Sequence, residues 1–371
     1  GGADEQAFRR LLERIRNQTG HDLSSYKRPT LLRRISRRMQ VLGASTLEEY
    51  RALATDRPEE LELLYQDLLI PVTSFFRDPA VFARLESAVI PELFAEKGAG
   101  DRVRVWVPAC STGEEAYSYA ILLNEEARGL TDAPTIQLFA TDVSAPAIER
   151  ARTGLYPETI AEDVDKRILD QYFAEEEDGY AVQPHVRDQI VFAQHDILGD
   201  PPFAQLDLVS CRNLLIYLKP DYQQRVLEIA HFALRPSGYL VLGSAESAET
   251  KSDLFRSEAR DLGIYRRRDV RREPVELAGW AGTATHGAPI QTPLDNRADS
   301  NFDSAAAHQQ LRSAALGSPS VLVDGSYRVL HISAGADQYL SVSEGELPET
   351  ILDLASGRLQ TALRTALFTA D

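Results

Sequence analysis

The stretch Val103-Arg104-Val105-Trp106-Val107-Pro108-Ala109-Cys110-Ser111-Thr112-Gly113-Glu114-Glu115 decides how the chain is read. Its first five residues are mostly β-branched or aromatic, which marks a short buried strand. Small residues follow, and Gly113 suits a tight turn that lets a ligand approach the backbone. Residues 115–124 then turn helical, behind two glutamates that suit the positive end of a helix dipole. No GxGxxG fingerprint and no Gly-Lys-Ser/Thr phosphate loop is present. Two carboxylates at this place oppose a pyrophosphate and suit a cationic ligand.

The same alternation continues outward. A second strand over 136–140 ends in Thr141-Asp142, and a helix begins near Ser144. Further strands are expected over 190–193, 206–210 and 239–242. A helix over 221–234 stops at the turn Arg235-Pro236-Ser237-Gly238. Residues 71–268 therefore predict an α/β domain with a doubly wound, mostly parallel sheet and helices on both faces. Residues 1–70 read as all helix, with apolar Phe8, Leu11, Leu12 and Ile15 at helical spacing. A basic amphipathic helix is expected over 30–42. A third helix follows Ser45-Thr46-Leu47-Glu48, with Ser45 as N-cap and Glu48 at capping-box spacing. Residues 269–304 read as a linker. A helix restarts at Ser304, and residues 320–331 predict a hairpin with Asp324-Gly325 at its tip. The segment 305–371 is too short for an independent domain and reads as truncated. The opening Gly-Gly-Ala-Asp-Glu reads as a tag remnant or a cut from a longer chain.

The 371 residues are 43% hydrophobic, enough for one large core and a smaller domain. The net charge of -16 counts against global attraction to nucleic acid or anionic membrane. No apolar run of about 18 residues exists to span a bilayer. Two cysteines, Cys110 and Cys211, make no disulfide framework, which fits a cytoplasmic protein. The seven histidines show no HExxH spacing, so no metal is expected.

In open α/β sheets ligands bind beyond the carboxyl ends of the strands. Asp142 stands at one such end, where an acid accepts hydrogen bonds from both ribose hydroxyls; the competing reading is a helix cap, which Ser144 already offers. Asp196, within Gln194-His195-Asp196-Ile197, suits the amino group of an adenine, while His195 reads as structural. Arg212 and Asn213 follow another apolar strand. An arginine there goes to the surface unless an anion must be held. Cys110 and Cys211 follow neighbouring strands beside the ligand, and read as buried, unreactive thiols.

Four segments in order resemble the CheR-type chemoreceptor methyltransferases. They are Ala109-Cys110-Ser111-Thr112-Gly113-Glu114-Glu115-Ala116-Tyr117-Ser118, Cys211-Arg212-Asn213-Leu214-Leu215-Ile216-Tyr217, Thr73-Ser74-Phe75-Phe76-Arg77-Asp78, and Gly238-Tyr239-Leu240 with Gly243-Ser244-Ala245-Glu246-Ser247. The resemblance covers about residues 5–268. It implies an N-terminal helical domain, a class I methyltransferase domain and S-adenosylmethionine as cofactor, with S-adenosylhomocysteine as product. It places Thr73, Arg77, Glu115, Asp142, Asp196, Ile197, Cys211, Arg212 and Asn213 at the cofactor. Arg77, Arg212 and Tyr217 fall near the reacting carboxylate. Pro71 and Asp196 depart from the asparagines that many members carry. A small β-insertion, at about 156–187 here, holds a receptor pentapeptide tether in some members. Its turn Glu175-Glu176-Glu177-Asp178-Gly179 is short and acidic, so no tether is expected. The C-terminal hairpin resembles the start of a PAS domain, as found in hybrid proteins that also carry a methylesterase.

The implied reaction esterifies a glutamate on a chemoreceptor-like protein. That acceptor is already ionised at neutral pH, so no general base is needed. An arginine, Arg77 or Arg212, holds one carboxylate oxygen toward the methyl group with help from Tyr217. Lys27, Arg28, Arg33, Arg34, Arg37 and Arg38 lie within twelve residues that contain no acid. They read either as a solvated face or as a dock for an acidic receptor helix bundle. The competing functions are a catalytically weak signalling scaffold that keeps the cofactor pocket, and a methyltransferase acting on RNA or a small molecule. The charge disfavours RNA, and Asp200-Pro201-Pro202-Phe203 is only a faint echo of a base-methylation motif.

Overall fold

The computed structural model describes residues 2–69, 72–270, 321–323, 329–332 and 351. The chain opens with four helices: α1 (Gly2–Thr19), α2 (Arg28–Leu42), α3 (Leu47–Asp56) and α4 (Pro58–Leu68). Leu11, Ile15, Leu31, Ile35, Tyr50 and Leu64 point inward and are almost fully buried. Each such side chain contributes about 1.5–3 kcal/mol of burial. Helix α2 starts two residues earlier than expected because Pro29 fits its first turn, where a missing N–H costs nothing. The cap of α3 is displaced by one residue from the reading above. Thr46, not Ser45, accepts the N–H of Glu49, while the Glu49 carboxylate accepts from Ser45 N.

The larger layer begins with α5 (Pro79–Arg84), a π-turn (Leu85–Val89) and α6 (Ile90–Phe94). Then come β1 (Arg102–Pro108), α7 (Glu114–Arg128), β2 (Thr135–Asp142) and α8 (Ala145–Thr153). An insertion of β3 (Leu155–Tyr156), α9 (Lys166–Tyr172), β4 (Phe173–Glu176) and β5 (Gly179–Val182) forms its own antiparallel sheet in the order β3-β5-β4. The expected acidic turn joins β4 to β5 there. Helix α10 (Pro184–Arg187) leads to β6 (Ile190–Gln194), then β7 (Leu206–Cys211), α11 (Pro220–Ala233), β8 (Leu234–Leu242), β9 (Phe255–Ala259) and β10 (Ile264–Arg267).

The main sheet has the order β6-β2-β1-β7-β8-β10-β9. It is parallel except at β10, which runs antiparallel to both neighbours. The periodicity reading missed β9 and β10, because charged Arg256, Glu258, Arg266 and Arg267 interrupt their apolar pattern. It also took 235–238 for a terminating turn. These residues form a bulge inside β8: the paired strand advances from Leu206 to Leu208 while β8 advances from Leu234 to Tyr239. Ser237 takes the positive φ of 61° that this excursion demands.

The winding reverses at β1, whose neighbours are β2 on one side and β7 on the other. The register sets Pro108 beside Thr141, and Asp142 beside Gln194. The carboxyl ends of β1, β2, β6 and β7 thus line up along one edge, where this topology opens a crevice. The helical part is strapped to that edge. Lys27 N donates to Tyr217 O at 2.7 Å, and Lys219 N to Ser25 O at 2.9 Å. The Lys27 and Lys219 ammonium groups add bonds to Ile216 O and Ser24 O.

Separately, β11 (Val321–Val323) and β12 (Val329–Ile332) pair antiparallel, as the hairpin reading expected. Its tip Asp324-Gly325, residues 271–304 of the expected linker, the helix expected at Ser304 and Pro71 lie outside the described residues, as does the rest of the PAS-like segment apart from Ile351. No helix among the described residues is long and apolar enough to cross a membrane.

Candidate active site

A cavity of about 800 Å³ opens at the aligned strand ends. The turn after β1 forms its floor. Ala109 and Ser111 take positive φ, and so does Gly113 at 97°. A Cβ on Gly113 would stand 2.9 Å from Ala151 Cβ and 3.0 Å from the Tyr156 hydroxyl, so only glycine fits. The Tyr156 hydroxyl locks the turn by donating to Thr112 O. Ser111 Oγ lies buried in this wall with no hydrogen-bond partner among the described residues.

Asp142 closes β2. Its two oxygens accept from Ser144 N and Ser111 N, each at 2.9 Å, while Ser144 Oγ caps α8 through Ala147 N. Asp142 is thus fixed in place and the cap is supplied elsewhere, as the residue pattern implied. Burial raises its carboxyl above the usual value against the pull of these amides and of His21. Each oxygen keeps one lone pair for a ligand. Asp196 follows β6; one of its oxygens accepts from Leu198 N at 2.9 Å. Ile197 and Thr73 complete this part of the wall. His195 also borders the cavity, yet its Nε2 bonds Pro201 O, and its ring packs on Trp106 and Phe203. Phe203 itself stacks on Phe139 at 4.3 Å, which makes the Asp200–Phe203 segment a packing loop.

Arg212 lines the cavity, as expected, and is also anchored within the fold. Its side chain is fully buried, its two terminal nitrogens donate to protein groups, and its Nε has no partner among the described residues. Nη1 reaches Glu115 Oε2 at 3.0 Å; Nη2 reaches Asp78 Oδ2 at 2.6 Å and Arg77 O at 2.7 Å. The guanidinium also lies over the Phe82 ring. An arginine anchored this way holds the Arg77-Asp78 turn against α7. Glu115 is likewise engaged: its other oxygen accepts from Ser210 Oγ at 2.7 Å. Burial pushes its carboxyl up, opposed by the Arg212 charge.

Arg77 is different. It lines the cavity, donates only to Val72 O at 2.9 Å and has no carboxylate partner among the described residues. Tyr217 and Asn213 line the same cavity. Their loop hangs on Glu246, whose carboxylate accepts from Asn213 N, Gly243 N and Ile216 N. Cys211 is fully buried and is not part of the cavity wall, contrary to its expected place at the cofactor. It ends β7 with its side chain in the sheet core among Leu215, Leu240 and Leu242. Cys110 does reach the wall, but burial raises both thiols well above their usual value, consistent with unreactive cysteines.

Periodicity could not show that the helical part contributes to this wall. His21, Tyr26, Arg34 and Gln66 all line it. Arg34 was counted only within a basic run; its Nε is buried without a partner among the described residues. The run itself divides. Arg28 pairs with Glu5, Arg38 with Glu60 and Asp67, and Lys27 with Ile216 O. Arg33 and Arg37 remain exposed with no ion pair among the described residues.

The acid-rich wall of Asp142, Asp196, Glu114 and Glu115, with an unpartnered serine hydroxyl, fits a nucleoside carrying positive charge. Comparisons with known proteins agree. Residues 71–264 match the family described as CheR methyltransferase, SAM binding domain, and residues 6–69 match CheR methyltransferase, all-alpha domain. The chain is 35% identical over 367 residues to an uncharacterized 104.1 kDa protein in the hypE 3' region of Rhodobacter capsulatus, covering 97% of this chain and 38% of that protein. It is 33% identical over 270 residues to putative methyltransferase Cher3 of Pseudomonas putida, covering 70% and 96%. Chemotaxis protein methyltransferase 1 of Pseudomonas aeruginosa is 31% identical over 272 residues, covering 71% and 97%. Cavity, topology and matches converge: this chain belongs to the CheR methyltransferase family, with an all-α domain and a class I, S-adenosylmethionine-binding domain.

Proposed function

We propose that the chain transfers a methyl group from S-adenosylmethionine to glutamate side-chain carboxylates of a chemoreceptor-like signalling protein, forming methyl esters, in the cytoplasm. The observation that carries this reading is the presence of both charges in one cavity. Asp142, Asp196, Glu114 and Glu115 line it, which suits a sulfonium nucleoside, and the guanidinium groups of Arg77 and Arg34 stand in the same wall without carboxylate partners among the described residues.

Asp142 would hold the ribose hydroxyls and Asp196 the adenine amino group. Thr73, Ile197 and Asn213 would complete the walls. The bound cofactor supplies an electrophilic methyl group. A glutamate acceptor arrives ionised, so the protein must orient it and strip its water. Arg77 would take one carboxylate oxygen, with Arg34 and Tyr217, which line the same cavity, supporting the acceptor. Arg212 supports this indirectly, by fixing the Arg77 backbone. Docking of an acidic partner then falls to Arg33 and Arg37, which are exposed with no ion pair among the described residues, whereas Lys27, Arg28 and Arg38 have partners within the chain and Arg34 lines the cavity. The short, acidic β4–β5 turn would not hold a receptor pentapeptide tether.

The test is transfer of labelled methyl from S-adenosylmethionine to a receptor signalling-domain fragment. Base-labile label that releases methanol, and that is lost when the receptor glutamates become alanine, supports the reading. Alkali-stable label would indicate another acceptor chemistry. Cofactor binding without transfer to any receptor fragment would favour a signalling scaffold.

A further inference from the structure

His21 lies just beyond α1, buried in the helical part, yet it lines the cofactor cavity. Its Nε2 stands 3.8 Å from Asp196 Oδ2, just beyond hydrogen-bond length. Its Nδ1 lies 3.3 Å from the Tyr65 hydroxyl on α4. That hydroxyl has no other partner among the described residues, so it is assigned as donor to Nδ1. The imidazole proton then sits on Nε2, directed at Asp196. The rings of Tyr26 and Tyr65 meet His21 edge-on, each at 6.0 Å, and fix its plane.

On the catalytic side, Asp196 Oδ1 is occupied by Leu198 N, which leaves Oδ2 as its free acceptor. That oxygen is the one His21 faces. The same short segment is stitched to the catalytic domain by the Lys27–Tyr217 and Lys219–Ser25 backbone bonds, so His21 cannot drift away from Asp196 while the strap holds. The charged groups around the ring are Asp22 on its own segment, Asp196 and Asp200 after β6, and Asp142 at the end of β2. Burial nevertheless outweighs these acids and holds the imidazole below its usual value. What the ring offers Asp196 at neutral pH is therefore an N–H and not a counter-charge.

We propose that His21 is a positioning residue for the cofactor's adenine: its Nε2–H, 3.8 Å from Asp196 Oδ2 in the unliganded site, closes to a hydrogen bond when the nucleoside binds and aims the carboxylate at the exocyclic amino group, so base recognition is shared between the helical and catalytic domains. The proposal rests on the cofactor reading given above. It assigns to the all-α domain a role in selecting the nucleoside, separate from any contact with a receptor. His21 touches no reacting atom and acts only through Asp196.

The test is calorimetric binding of S-adenosylhomocysteine and of its analogue lacking the exocyclic amino group, at neutral pH. Wild type should prefer the amino compound by roughly tenfold, the worth of one hydrogen bond to a charged group. His21→Ala should erase most of that preference, while binding of the deamino analogue changes little. His21→Gln, which keeps an N–H donor, should restore it. Tyr65→Phe removes only the hydroxyl that sets the tautomer and should reduce the preference, which keeps the test sound if His21→Ala unfolds. Full preference retained in His21→Ala or in Tyr65→Phe, or equal weakening of both ligands, would overturn the proposal. Failure of wild type to bind either compound would strike at the cofactor reading itself.

Discussion

Replacing Arg212 with alanine should damage stability first, and activity only as a consequence. The guanidinium is fully buried and joins three structural groups: Glu115 on α7, Asp78 and the Arg77 carbonyl. Its removal leaves Glu115 buried with a single neutral donor, Ser210. Breaking one partner of such a buried pair costs about 3–5 kcal/mol. For a domain of this size each kcal/mol moves the midpoint by about 2–4 °C, so thermal unfolding should shift down by about 6–20 °C. Arg77→Ala is the control. It removes a partly exposed side chain with one hydrogen bond to Val72 O, and should leave the midpoint within about 2 °C while abolishing methyl transfer. The double replacement Arg212→Met with Glu115→Leu removes both charges and should recover much of the lost stability, though not catalysis. The assay is circular dichroism melting beside methyl transfer. If Arg212→Ala melted with wild type yet lost turnover, the residue would be a substrate clamp, and the structural role argued here would be wrong.

Two further outcomes follow from the helical domain. Burial alone would raise Glu60, but hydrogen bonds from Arg38 and Tyr50 outweigh it and hold its carboxyl below the usual glutamate value. A depressed carboxylate contributes stability that is complete above its unfolded value and drains as pH falls through the folded one. Between about pH 5 and pH 3 the melting point of wild type should therefore fall more steeply than that of Glu60→Gln. A parallel decline would refute the pairing. The second outcome concerns docking: Arg33→Glu with Arg37→Glu should weaken receptor binding in a salt-dependent manner without altering the melting point. Arg38→Glu should instead destabilise the fold, because Arg38 meets buried Glu60 with Nε–Oε1 at 3.0 Å. Unchanged receptor affinity in the first variant would remove the dock.

The parallel sheet was readable because its strands are buried on both faces and so appear as short apolar runs. Trp106, Val107, Leu138, Leu208 and Val209 carry that signal. The place of Asp142 in the cavity wall was readable because it is an acid at a strand end, with Ser144 behind it to cap the helix. The edge strands β9 and β10 were hidden, since one face of an edge hairpin meets water and carries arginines and glutamates. The bulge in β8 was hidden because Pro236-Ser237-Gly238 states a bend and leaves open whether the strand resumes. The anchoring of Arg212 was hidden for a related reason. Its partner Glu115 lies 97 residues away, and only the docking of α7 against β7 brings the two together. His21 gave no signal at all, because its meaning depends on how a separate domain seats on the strand ends.

The central claim is that the strand-end cavity is a cofactor site with Asp142 as its ribose ligand. Calorimetric titration of this chain with S-adenosylmethionine and S-adenosylhomocysteine tests it most directly. Both should bind at about micromolar affinity, and Asp142→Ala should weaken both by at least about tenfold while the melting point shows the fold retained. Absence of binding by wild type, or undiminished binding by a folded Asp142→Ala variant, would contradict the account.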